Sequence, residues 1–276
     1  MSFTFRLGEH LKTFQSPCVM GILNTTPDSF FSASRKSKMS DALKAAEQML
    51  TEGAAILDIG GQSTRPGSEQ LDASQEMERV LPIISAIRNE FPEAVISSDT
   101  FYGEVANAAV NEGADIINDV SAGNLDANML PTVAALKVPY ILMHMQGTPK
   151  TMQQNPTYDD VVSDTLHFLA SKLMELRQLG VSDVAIDPGF GFGKTLEHNY
   201  ALLRNLHKFQ ILDVPVLAGV SRKGMIWKPL GVNPEDALNG TTAAHMIALS
   251  QGANILRVHD VKPAVEAIKI HRLANP

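Results

Sequence analysis

The sequence predicts an α/β fold, a (β/α)8 TIM barrel that fills a single domain over residues 1–276, and three observations predict it. Short apolar runs recur eight times, helical spacing of apolar residues fills the stretches between them, and the length suits one barrel of about 250 residues. The runs are CVMGIL (18–23), AAILDIG (54–60), AVISS (94–98), ADIIN (114–118), PYILM (139–143), DVAID (183–187), VPVLAG (214–219) and ANILRV (253–258). Each is largely continuous rather than alternating, the pattern of parallel strands covered by helices. Between them, DALKAAEQML (41–50), TLHFLASKLMEL (165–176) and NGTTAAHMIALS (239–250) carry helical periodicity. Ser40-Asp41 and Asn233-Pro234-Glu235-Asp236 predict helix starts, and Gly53, Gly113, Gly180 and Gly252 predict helix ends. Phe3, Phe5 and Leu7 alternate, which predicts a short N-terminal hairpin covering the bottom of the barrel. A doubly wound open sheet is the alternative, but the turn after the first run, GILNTTPDS, lacks the GxGxxG of a dinucleotide fold.

Composition narrows the function classes. With 44% hydrophobic and 19% charged residues the chain reads as a soluble globular protein with a large core. A formal net charge of −7 argues against binding nucleic acid by bulk electrostatics, so a small anionic ligand would need a local basic cluster. Cys18 is the only cysteine, which excludes an intramolecular disulfide and a four-thiolate metal site and fits a reducing cytoplasm. Neither an export signal nor eighteen uninterrupted apolar residues occurs, so no contact with a membrane is expected.

Loops after the strands of a parallel barrel open on one face, so residues far apart in sequence converge there. In chain order those positions hold Asn24, Thr64 and Arg65, Asp99, Asn118 and Asp119, His144, Asp187, Ser221-Arg222-Lys223, and Arg257 with His259. Any one of them reads as a cap or turn residue. Together they read as a ligand site, because so many polar groups beside a core need partners. Arg65, Arg257, His259 and Asn24 suit a phosphate or diphosphate, with the Asn24 carbonyl oxygen available to a bound Mg²⁺. Asp99, Asn118 and Asp187 are acceptors suited to a flat heterocycle edged with N–H donors, and Lys223 suits a ring carbonyl or nitrogen. The alternative is that Asp99 and Asp187 pair internally with Lys223 and Arg257. His144, between two methionines, reads equally as rim packing. DPGFGFGKT (187–195) nearly spells a nucleotide-binding loop, but only three residues separate Gly189 from Gly193 where four are needed. Its glycines are expected to bring backbone close to a ligand, with Phe190 as an apolar wall.

MGILNTTPDSF (20–30), DIGGQSTRPG (58–67), SSDT (97–100), IINDVS (116–121), LMHMQGTPKTMQ (142–153), DPGFGFGK (187–194), GVSRK (219–223) and RVHDV (257–261) resemble, in order, the successive motifs of the dihydropteroate synthase family. That resemblance implies a (β/α)8 barrel, usually a homodimer, that uses Mg²⁺ to displace diphosphate from a hydroxymethyl-dihydropterin ester with the amine of p-aminobenzoate, and that sulfonamides inhibit. It further implies that Asp99, Asn118, Asp187 and Lys223 bind the pterin, with Met143 on its face. Asn24 would meet the metal, and Arg257 and His259 the diphosphate. Thr64, Arg65, Pro66, Phe190, Ser221 and Phe30 would line the p-aminobenzoate pocket, and Asp99, Lys223 and Arg257 would be catalytic. The chain departs from the family pattern in SFFSASRK (29–36), in Gln62 where Glu is common, and in Phe101. Competing classes are a methyltetrahydrofolate-dependent methyltransferase domain, a pterin-binding paralogue without activity, and an interaction protein.

Overall fold

The computed structural model describes residues 2–15, 17–25, 35–62 and 70–275, with side chains from residue 39 onward in the first helix. A hairpin of β1 (Ser2–Leu7) and β2 (His10–Gln15) precedes the barrel strands β3 (Cys18–Asn24), β4 (Ile56–Gly60), β5 (Ile96–Asp99), β6 (Ile116–Asp119), β7 (Tyr140–Met143), β8 (Val184–Asp187), β9 (Leu217–Ala218) and β10 (Ile255–Val258). The helices are α1 (Arg35–Glu52), α2 (Ala73–Glu90), α3 (Gly103–Asn111), α4 (Met129–Leu136), α5 (Val161–Gln178), α6 (Leu196–Arg204), α7 (Gly224–Leu230), α8 (Leu238–Ser250) and α9 (Val261–Ala274). All eight barrel strands are parallel in the order β8-β7-β6-β5-β4-β3-β10-β9, and a parallel bridge from Ile186 to Val216 closes the ring.

Strand side chains alternate between two environments. Leu57, Ile59, Ile117, Leu142, Ile186 and Leu256 face the helices in the main core. Met20, Ile56, Ile116, Ile141, Ala185, Leu217 and Ile255 face inward, and Phe5 and Phe14 of the hairpin join them to seal the barrel floor. Phe3 stacks on Phe14 with centroids 5.0 Å apart, and the hairpin is tied down by the Arg6 N–H donating to Asp183 at 2.8 Å. The predicted bottom cover is therefore present. Two residues further along, the next inward position on β4, β5, β6, β8 and β10 holds the polar layer described below.

Helix starts are set by side chains that satisfy the first free N–H groups. Asp72 and Gln75 form a capping box on α2, Asp160 caps α5, and Thr195 forms a capping box with His198 on α6. The first helix differs from expectation: it begins at Arg35, so Ser40-Asp41 lies inside it. Nothing in RKSKM breaks a helix, and the later cap-like pair did not have to start one. Gly53, Gly113, Gly180 and Gly252 adopt positive φ just beyond helix ends, as predicted.

Candidate active site

Above the apolar floor the inward positions are Asp58 on β4, Ser97 and Asp99 on β5, Asn118 on β6, Met143 on β7, Asp187 on β8 and Arg257 on β10. Register brings them level: Asp99 pairs with Asn118, and Met143 with Asp187. Met143 joins Phe101, Val120, Met145, Met152 and Phe192 in an apolar cluster at the mouth. One wall is therefore greasy and the rest is polar, the composition of a small-molecule site.

Arg257 organises the polar side. Its Nε donates to Asp58 at 2.6 Å, and its Nη2 donates to Asp99 at 2.6 Å. Burial works against the guanidinium charge, but Asp58 and Asp99 outweigh it and hold its pKa above the ordinary value. Asp99 is pushed up to about 7 by burial, against the pull of Arg257, with Asp58 adding to the rise. Asn118 donates to the same Asp58 oxygen at 3.1 Å, which turns the amide carbonyl to face elsewhere. The internal pairing foreseen as an alternative is thus realised for Asp99. It is not realised for Asp187, which makes no ion pair among the described residues.

Asp187 is held instead by the Gly189 N–H at 2.7 Å. Burial raises its pKa, opposed first by Lys223. Lys223 donates to the Phe190 carbonyl and lies 4.5 Å above the centre of the Phe192 ring, a cation–π arrangement. Burial lowers its pKa to about 8, partly offset by Asp187. Phe190 itself is fully buried in the main core, so at this loop Phe192 faces the mouth, two residues later than the sequence suggested.

The loops after β9 and β10 are tied together. Ser221 Oγ lies 3.1 Å from His259 Nδ1 and accepts the His259 backbone N–H at 3.2 Å. Between Ser221 and Lys223, Arg222 takes a left-handed φ of 53°, uncommon for a non-glycine residue. Its guanidinium grips Asp260 through two bonds of 2.8 and 2.7 Å, which holds this turn in place. Asn24 ends β3 as an exposed side chain.

Beside Gly61, just past β4, lies a buried carboxylate, Glu76, whose Oε2 accepts from Gln62 Nε2 at 3.0 Å while Oε1 has no partner. Gln62 also exchanges two 3.2 Å bonds with the backbone of Leu71. Burial pushes Glu76 up to about 7, opposed by the nearby Thr100 hydroxyl and by Gln62. The native state then keeps a proton that the unfolded chain releases above its ordinary carboxylate pKa, so this group's contribution to stability falls as pH rises from about 4.5 to about 7. Glu76→Gln is expected to raise the melting temperature at pH 8 but scarcely at pH 4.5, with a gain of up to about 3 kcal/mol from the shift. Chemical denaturation at the two pH values checks this, and an equal effect at both would refute it.

The structure brings together Asp99, Asn118, Met143, Asp187, Ser221, Lys223, Arg257 and His259, as the sequence suggested, with Asn24 on the adjacent strand end. Phe30, Thr64, Arg65 and Pro66 lie outside the described residues. Asp58 was missed although its signal was visible, a carboxylate in the middle of the apolar run AAILDIG. Asp119 has a different task from its neighbour Asn118: facing outward, it accepts from Tyr140 at 2.6 Å and from the backbone N–H groups of Ser121 and Gly123, both at 2.7 Å.

An acceptor-lined barrel mouth with one apolar wall is the arrangement of an enzyme that binds a small, flat ligand, and the model of the family described as Pterin binding enzyme matches residues 20–259. The chain is 44% identical to the dihydropteroate synthase of Escherichia coli K12 over 92% of this chain and 90% of the relative. It is also 44% identical to that of Haemophilus influenzae, over 92% of each. Among solved structures it is similar to the dihydropteroate synthase of Yersinia pestis with a sulfonamide drug, at TM-score 0.91 and 40% identity over 99% of both chains. The Xanthomonas albilineans enzyme with 4-aminobenzoic acid gives TM-score 0.92 and 40% identity over 99% of this chain and 98% of that one. The chain belongs to the dihydropteroate synthase family.

Proposed function

We propose that this site joins a hydroxymethyl-dihydropterin diphosphate to p-aminobenzoate, forming dihydropteroate and releasing diphosphate in folate synthesis; the chain is a transferase. The observation that carries the reading is the level ring of Asp99, Asn118 and Asp187 facing Lys223 above a sealed apolar floor. A flat ring edged with N–H groups finds acceptors on three strand ends, a donor from Lys223 and an apolar face at Met143. Asp99, Asn118, Met143 and Asp187 sit on strands, so this part of the pocket is formed before any ligand arrives.

The reaction breaks the bond between the pterin methylene and the diphosphate oxygen and forms one from that methylene to the arylamine nitrogen. Asp99, with the electron-rich ring, stabilises positive charge on the methylene as the leaving group departs. Arg257 and His259 lie on the same strand end and in this reading take the diphosphate charge, while Ser221, tied to His259, would help hold p-aminobenzoate in line. Thr64, Arg65, Pro66 and Phe30 complete that second pocket in this reading, and Phe190 contributes to the site through its carbonyl.

Mg²⁺ fits this donor set only as an ion that arrives with the diphosphate. Among the described residues no three His, Cys, Asp or Glu side chains form a cage, and Asn24 offers one exposed neutral oxygen, which suits an ion that keeps its waters and phosphate ligands. When bound it would neutralise charge on the leaving group. A homodimer is supported by exposed Leu230, Leu238 and Ile247 on the neighbouring helices α7 and α8, at 57%, 37% and 45% exposure. Cytoplasmic residence is supported by the single, buried thiol of Cys18; no described helix is long and apolar enough to cross a membrane.

Incubation with the dihydropterin diphosphate, p-aminobenzoate and Mg²⁺ should yield dihydropteroate, and a sulfonamide should compete with p-aminobenzoate. Binding of pterin without turnover would favour the paralogue lacking activity, and no pterin binding would remove the reading altogether.

A further inference from the structure

The glycine-rich segment after β8 ends in a lysine that none of the roles above uses. Lys194 does not reach toward the mouth. It turns back into the protein and is 3% exposed. Its ammonium lies 2.9 Å from His144 Nδ1, 3.0 Å from the Phe192 carbonyl oxygen and 3.4 Å from the His144 carbonyl oxygen. Three N–H bonds thus meet three acceptors, while burial lowers the lysine's pKa to about 7, offset first by Asp187. The acceptors belong to two different loops: His144 follows Met143 at the end of β7, and Phe192 carries the ring beneath Lys223.

The surroundings show how closely these loops are joined. A Cβ on Gly189 would collide with the His144 carbonyl oxygen, and one on Gly193 would lie 2.5 Å from the Gln146 carbonyl oxygen. Both glycines have positive φ. The glycines of the segment therefore admit a neighbouring loop as well as a turn. Tyr158 donates to the Gly193 carbonyl at 2.8 Å, and Gln153 donates to the Gly191 carbonyl at 2.6 Å. The His144 ring is set edge-on to Phe168, with centroids 4.9 Å apart and planes at 84°. With Nδ1 accepting from Lys194, the imidazole is neutral and carries its proton on Nε2.

We propose that Lys194 is a positioning residue of the pterin pocket: it pins the loop after β7 to the loop after β8 and so fixes where Asp187, Phe192 and Lys223 stand. The inference rests on the reading of this mouth as a pterin site. Lys194 acts through two routes. Its bond to the Phe192 carbonyl sets the ring on which Lys223 rests, and its Nζ lies 3.4 Å from the Cβ position of Gly189, the residue whose N–H holds Asp187. Without the ammonium, three acceptors lose their partner and the two loops are free to separate by a fraction of an ångström.

Lys194→Met keeps the length of the stem and removes the charge. The expected result is a pterin dissociation constant raised about tenfold to a hundredfold, the scale on which small displacements of binding groups act. The KM for the pterin ester should rise with it, while the KM for p-aminobenzoate at saturating ester stays near that of the parent. Nitrogen NMR of the imidazoles supplies a second readout that does not use the ligand. In the parent the His144 ring should remain neutral across the mildly acidic range, and in Lys194→Met it should take up a proton at higher pH. If Lys194→Met does not fold, His144→Leu removes one acceptor from the other side, and His144→Gln restores one. The first should weaken pterin binding and the second should recover part of it. A folded Lys194→Met or His144→Leu that binds pterin as the parent does would overturn the role of Lys194. A parent protein that binds no pterin would overturn the reading of the site itself, together with this inference.

Discussion

Asp187→Ala is expected to weaken binding of a pterin by about 3 kcal/mol, roughly two orders of magnitude in Kd, because it strands donors of the ligand in a place water does not reach. Asp187 is buried and makes no ion pair among the described residues. One oxygen accepts from Gly189, and the other lies 3.7 Å from the Cβ position of Gly219, on the side of Lys223. A carboxylate kept in such a place with cations nearby but no direct ion pair is suited to meet a ligand. Asp187→Asn should be little better than the alanine variant, since its amide sets N–H against N–H. The fold should survive both changes, because the substitution removes a buried charge along with one backbone hydrogen bond. Calorimetric titration with a pterin checks the effect, and unchanged affinity in a folded variant would remove Asp187 from the site.

Arg257→Ala is expected to cost both stability and turnover. It leaves Asp58, fully buried, and Asp99 without their common counter-ion, a change that destabilises by about 3–5 kcal/mol. The loss should be smaller at pH 5 than at pH 8. Asp99 already has its pKa pushed up to about 7 by burial, and removing Arg257 takes away the chief opposing influence. The native variant then retains a proton that the unfolded chain gives up, and stability is lost as pH rises through the folded value. Adding Asp58→Asn should restore much of the stability. It should not restore turnover with the diphosphate ester, because the cation for the leaving group is still missing. Denaturation curves of the single and double variants, beside their rates, separate the two roles. Recovery of full activity in the double variant would assign Arg257 to the fold alone.

Much of the site could be read from the sequence because a parallel barrel converts strand ends into a ring. Once eight apolar runs were recognised, the residues following them were fixed at one face whatever their separation along the chain. That is why Asp99, Asn118, Asp187, Lys223 and Arg257 were legible as one group. Two kinds of feature were not. Asp58 lies inside a strand rather than at its end, and a charge in an apolar run becomes interpretable only when Arg257 is found 2.6 Å away on a strand 199 residues later. The GFGFG segment posed the other problem. It offered two phenylalanines with the same neighbours, and nothing local decides which one enters the core.

By itself, then, the sequence determined the barrel, the polar rim and the family, because periodicity and motif order are properties of the chain as written. Tertiary structure alone decided the partners. It paired Arg257 with Asp58 and Asp99 while leaving Asp187 without an ion pair, sent Phe190 into the core and Phe192 to the mouth, and turned Lys194 inward to His144. The physical reason is that the energy of a buried charge depends on distances of a few ångströms to groups brought close only by the closing of the ring. Sequence separation carries no information about those distances.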